Sequence, residues 1–99
     1  MTKEQLIGCY DYEQGIINLN NKEIYLTSRE NKLFNILIHN YGKFVKNEFI
    51  CEKIYNEELD DGLTLNIRTC ASRTRKKLKG LINIKNRANY GYKLEVIEK

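Results

Sequence analysis

The chain has 99 residues, 41% of them hydrophobic and 30% charged, with a net charge of +4, three Cys, one His and no Pro. That length makes one domain with a modest core, and its apolar runs are far too short to span a bilayer. Met1-Thr2-Lys3-Glu4-Gln5 carries no secretory apolar stretch, so the chain reads as cytoplasmic. Cys9, Cys51 and Cys70 are widely spaced, contain no Cys-x-x-Cys pair and have only His39 as a further soft ligand. A disulfide framework and a zinc site are therefore not expected, no other metal or cofactor is called for, and the thiols read as buried or half-buried packing groups.

In chain order, Leu6-Ile7-Gly8-Cys9-Tyr10, Gly15-Ile16-Ile17-Asn18-Leu19 and Glu23-Ile24-Tyr25-Leu26 are short β-branched or aromatic runs punctuated by Asp, Asn and Gly. They predict a small antiparallel meander over residues 1–27, with a hairpin turn at Asn20-Asn21-Lys22. Thr27-Ser28-Arg29-Glu30 is a capping box. Behind it Glu30, Leu33, Phe34, Leu37, Ile38 and Tyr41 recur at helical spacing, and Gly42 supplies a left-handed stop. Phe44-Val45 suits a single short strand. Asn47 opens a second helix to about Tyr55, with Phe49, Ile50 and Ile54 as its apolar stripe and Cys51 beside it. Residues 56–62 are acidic and polar and read as a loop.

A third helix is predicted from Leu63 or Thr64 to Lys79 or Gly80. Leu63, Ile67, Ala71, Thr74 and Leu78 step by four, four, three and four, so one face points inward, with Thr74 its polar member. Leu81-Ile82-Asn83-Ile84 and Tyr92-Lys93-Leu94-Glu95-Val96-Ile97 then form a hairpin over residues 81–97, joined by Lys85 to Gly91.

Charge is distributed unevenly over this framework. Between Gly62 and Leu94 stand Arg68, Arg73, Arg75, Lys76, Lys77, Lys79, Lys85, Arg87 and Lys93, and no Asp or Glu. The first six share the third helix. A helix charged in this way repels itself and calls for a polyanionic partner.

Sheet, three helices and hairpin make an α+β chain with the layout of a winged helix-turn-helix: an N-terminal antiparallel sheet, a trihelical core over 28–80 and a C-terminal β-hairpin wing. At this point the chain resembles the OmpR/PhoB-type effector domain of bacterial response regulators over nearly its whole length. The resemblance rests on Leu26-Thr27-Ser28-Arg29-Glu30, Gly42-Lys43-Phe44-Val45, Arg73-Thr74-Arg75-Lys76-Lys77-Leu78 and Gly91-Tyr92-Lys93-Leu94, in that order. It implies an N-terminal sheet of about four strands, a recognition helix over about 64–79 in the major groove of double-stranded DNA, and a wing over 82–94 at the minor groove. It further implies the output role of a two-component regulator, tandem half-sites bound as a dimer, and a loop at 56–62 that some relatives turn toward RNA polymerase; with no obvious dimerisation helix, the chain is expected to be monomeric off DNA. The chain departs from the family pattern at Thr69, Cys70, Ala71 and Thr74, where Val, His, Ile and Leu are usual. Arg68 stands at a position that is often acidic. The wing's Arg-Gly pair appears as Ala88-Asn89, with Arg87 one residue early, and a one-residue shift along a strand reverses the side-chain face.

Phosphate contacts supply affinity and base edges supply sequence information. Asn66, Arg68, Thr69, Ser72 and Arg73 are the candidates for the groove floor, where Arg can pair with the O6 and N7 of guanine and the Thr69 methyl can meet a thymine methyl. Arg75, Lys76 and Lys79 are assigned to phosphates, Arg87 to the wing, and the Tyr92 hydroxyl to the DNA backbone. A catalytic reading has little to stand on: no nucleophile is placed beside His39, and no Gly-rich phosphate loop or metal pair occurs. The competing class is a basic interaction module that docks RNA polymerase or another acidic partner without reading sequence.

Overall fold

The computed structural model describes residues 2–96. Its first element corrects the sequence-based expectation. Leu6 to Gly8 belong to a short helix, α1 (Lys3–Gly8), and not to a strand. A capping box starts it: the Gln5 amide donates to Thr2 Oγ1 at 3.2 Å, and the Thr2 amide donates to Gln5 Oε1 at 2.7 Å. The helix drops Leu6 fully into the core.

The N-terminal sheet therefore has three strands, where about four were expected. They are β1 (Tyr10–Asp11), β2 (Ile16–Leu19) and β3 (Lys22–Tyr25), antiparallel in that order. Asn20 and Asn21 both take positive φ, 50° and 63°, which the two-residue turn between β2 and β3 requires and Asn tolerates. Register aligns Tyr10, Ile17 and Ile24 on the inner face. The Tyr10 ring meets Phe34 edge-on at 4.8 Å, and its hydroxyl donates to Asn31 Oδ1 at 2.5 Å.

Phe34 and Asn31 lie on α2 (Ser28–His39), capped as the sequence predicts: the Glu30 amide donates to Thr27 Oγ1 at 3.3 Å and the Thr27 amide to Glu30 Oε1 at 2.8 Å. The helix ends at His39 with Asn40 as its cap, before Gly42. Gly42 (φ 81°) lies in the following turn, where its amide donates to the Leu94 carbonyl at 3.3 Å. After β4 (Val45–Lys46) comes α3 (Asn47–Tyr55), as predicted, with Ile50 and Cys51 in the core. Phe49 departs from the predicted stripe. It is exposed, with the Lys53 ammonium 5.4 Å from its ring centre.

The third predicted helix is α4 (Asp61–Lys77), which begins two residues earlier than the periodicity suggests. Asp60 accepts the Leu63 amide at 2.7 Å through Oδ1, so Asp61 and Gly62 fall inside the first turn. The intervening loop shrinks accordingly to residues 56–60. Ile67, Ala71 and, just past the helix end, Leu78 share one buried cluster with Leu33, Phe34 and Leu37 of α2, and Thr74 is fully buried as well. The polar member of that stripe is satisfied internally, since the Thr74 hydroxyl donates to the Cys70 carbonyl at 2.8 Å.

The wing is β5 (Ile82–Arg87) and β6 (Gly91–Val96). Ile97, placed in this hairpin on sequence grounds, lies outside the described residues. Both strands extend further toward the tip than expected and leave only residues 88–90 to turn. β4 joins on the far side of β6, giving the order β4-β6-β5. Only glycine serves at Gly91, because a Cβ there would sit 1.8 Å from the Val45 carbonyl oxygen.

Candidate nucleic-acid interface

With Ile67, Cys70, Ala71 and Thr74 turned inward, α4 presents the opposite face to solvent. Asn66, Arg68, Thr69, Arg73 and Lys76 are exposed on it, Ser72 is half-buried, and Lys79 follows exposed just past the helix end. The predicted residues of this helix thus share one surface, with one exception. Arg75 is half-buried, and its Nε donates to the Ile84 carbonyl at 2.8 Å, which ties the helix to the wing.

Lys77 is the second cation already engaged within the domain. Its ammonium lies 2.5 Å from Glu30 Oε1 and donates to the Tyr25 carbonyl at 2.9 Å, joining the end of α4 to α2 and β3. Glu30 is 3% exposed. Burial alone would raise its carboxyl, but Lys77 and the Thr27 amide and hydroxyl outweigh that and hold it below the ordinary carboxylate value. The acid-free stretch is therefore neutralised at one point by an acid distant in sequence. Arg68, Arg73, Lys76 and Lys79 have no carboxylate within salt-bridge distance among the described residues.

Strand register fixes the wing's two faces. Ile82, Ile84 and Asn86 lie opposite Val96, Leu94 and Tyr92 on the inner face, while Asn83, Lys85 and Arg87 lie opposite Glu95, Lys93 and Gly91 on the outer. The one-residue shift noted in the sequence thus sets Arg87 on the outer face. Its guanidinium carbon is 4.6 Å from the Tyr90 ring centre and 5.9 Å from that of Phe44, and Lys93 Nζ lies 4.8 Å from Phe44. Lys85 and Lys93 are direct cross-strand neighbours, a like-charge pairing that costs stability unless an anion relieves it. Glu95 approaches Lys93 at 3.8 Å.

Tyr92 faces inward and is buried. Burial raises its phenol pKa, while the charges of Arg68 and Arg75 and a hydrogen bond with Arg68 act in the opposite direction. The Arg68 and Arg75 charges thus lie near this buried phenol. Cys70 is likewise held as a thiol, chiefly by burial and then by the nearby Glu30 charge.

Two residues on this surface were missed in the sequence. Arg29, at the start of α2, helps line a cleft of about 270 Å³ with Thr27, Tyr55, Asn66, Thr69 and Arg73, and its guanidinium carbon lies 5.1 Å from the Tyr55 ring centre. It falls outside the acid-free stretch, and its place behind the Thr27 cap was the available signal. Leu65 is the other, 57% exposed on α4.

Residues 21–94 match the family described as "Transcriptional regulatory protein, C terminal". The chain belongs to this family. It is a family of DNA-binding domains in transcription regulation, as the basic helix and wing had suggested. Among solved structures, the C-terminal domain of the nisin resistance regulator NsrR, a lantibiotic response regulator, is 31% identical with a TM-score of 0.66, over 86% of this chain and 89% of that one. The DNA-binding domain of Bacillus subtilis CssR is 23% identical, with a TM-score of 0.69 over 81% and 90%. The DNA-binding domain of response regulator AdeR, solved in complex with an intercistronic region, is 21% identical, with a TM-score of 0.69 over 87% and 90%. The last two likenesses establish the winged-helix fold. A search of curated proteins finds no significant match. Among the described residues of this effector domain, no helix is long and apolar enough to cross a membrane.

Proposed function

We propose that this domain reads double-stranded DNA with the outward face of α4 in the major groove and the tip of the β5–β6 wing at the adjacent minor groove. The supporting observation is the set of four unpaired cations, Arg68, Arg73, Lys76 and Lys79, on a surface clipped to the wing by Arg75. Asn66, Arg68, Thr69, Ser72 and Arg73 face the groove floor, where Arg73 pairs with guanine and the Thr69 methyl meets a thymine methyl. Lys76 and Lys79 take phosphates, and Arg29 adds a phosphate contact from the N-terminal end of α2. Arg87 and Lys85 approach the backbone from the outer face of the wing. Arg75 acts from behind this surface by tying α4 to the wing, and Tyr92 lies buried on the inner face of the wing.

The domain works in the cytoplasm as the output module of a two-component regulator and performs no catalysis. It is monomeric in solution and pairs on tandem half-sites, and the loop over residues 56–60 turns toward RNA polymerase. Selection of bound duplexes from a random pool tests this scheme. A recurring motif in two direct repeats, with affinity lowered by Arg73→Ala about five- to 150-fold, is the expected result. Equal affinity for all duplexes would instead mark α4 as a basic docking face without sequence reading.

A further inference from the structure

Leu65 is the one large apolar side chain exposed on α4 among the described residues. At about 100° per residue, Leu65 and Thr69 each stand two positions from buried Ile67, on opposite sides of it. Both therefore project from the solvent face, one turn apart, at the centre of the surface flanked by Arg68 and Arg73. A scattered surface leucine needs no explanation on its own. This one stands in a row of polar and cationic side chains, on the face assigned to the groove, where water is expelled on binding. The only apolar group a base pair offers in the major groove is the C5-methyl of thymine.

We infer that Leu65 is a specificity-determining residue that reads a thymine methyl, so that with Thr69 it selects two thymines close together in one half-site. This rests on the DNA-reading role proposed above. An aliphatic side chain accepts no hydrogen bond from cytosine and donates none to guanine, so an amino or carbonyl group facing it would lose its water without replacement. Leu65 thus selects by excluding the other bases as much as by attracting thymine.

The test uses deoxyuridine, which keeps every hydrogen bond of thymine and lacks only the methyl. Each thymine of the selected duplex is replaced in turn, and affinity is measured for the unaltered domain and for Leu65→Ala and Thr69→Ser. Loss of one buried methyl is expected to weaken binding about fourfold. Two sensitive positions are expected in the unaltered domain, one silenced in Leu65→Ala and the other in Thr69→Ser, each variant binding the all-thymine duplex about fourfold more weakly. Leu65 is exposed and Ala is a strong helix former, so the variant keeps the fold, which circular dichroism verifies. Full tolerance of deoxyuridine by the unaltered domain, or sensitivity that persists undiminished in Leu65→Ala, overturns the inference and leaves DNA reading intact. Failure to enrich any duplex overturns both.

Discussion

Replacing Lys77 with Met strands the Glu30 carboxylate in a site that is 3% exposed. Removing one partner of a buried ion pair costs about 3–5 kcal/mol when nothing else compensates. Here the Thr27 amide still donates to Glu30 at 2.8 Å, and Lys77 was itself partly hydrated, with 37% of its side chain exposed. A cost of about 2 kcal/mol at pH 7 is therefore expected, equivalent to a fall in Tm of roughly 8–16 °C for a domain of this size. Because the folded carboxyl is depressed below its ordinary 4.5, its stabilising contribution is present above that value and is lost as pH falls through the lower folded value. In Lys77→Met the buried carboxyl takes up a proton more readily, which removes the penalty. Urea unfolding of both proteins from pH 7 to pH 3 should give stability curves that converge below about pH 4.5. A difference below about 0.5 kcal/mol at pH 7, or one that stays constant to pH 3, would refute this account of the pair.

Arg29, Lys76, Lys79, Lys85 and Arg87 are the five cations assigned to the DNA backbone, so log K against log[salt] should fall with a slope of about −4.5. Lys76→Ala should reduce that slope by about 1, whereas Lys77→Met, whose charge is already occupied, should leave it unchanged; a salt titration of each variant decides. Gly91→Ala forces a methyl against the Val45 carbonyl and should open the β4–β6 pairing at a cost above about 2 kcal/mol, measurable by thermal melting.

Signals contained within a few residues were legible in the sequence. The Thr27–Glu30 capping box, the Asn20-Asn21 turn and the bounds of α3 all depend on neighbours along the chain. The basic face of α4 was legible for the same reason. By contrast, α1 was read as a strand because six residues cannot display a helical period and Ile7, Cys9 and Tyr10 favour strands. The Thr2–Gln5 capping box was there to be weighed against them. Asp60 capping α4 was hidden by Gly62, which suggests a loop but is tolerated in a first turn. No local pattern could have revealed that Lys77 pairs with an acid 47 residues away or that Arg75 reaches the wing nine residues on. The exposure of Leu65 carries no signal in the sequence, since a leucine in an amphipathic helix ordinarily packs inward.

The bond from Arg75 to the Ile84 carbonyl makes the domain a caliper. In the proposed scheme one jaw is α4 and the other the hairpin, and the bond ties the two together. DNA that places its major-groove letters and its narrow-groove segment one base pair too far apart also rotates one of them by about 34° around the axis, given roughly 10.5 base pairs per turn. A caliper of fixed gap cannot follow that rotation, so the domain would measure spacing within a half-site even at base pairs it never touches. Cutting the bond with Arg75→Met would loosen the jaws, and duplexes carrying a single inserted pair would then be tolerated.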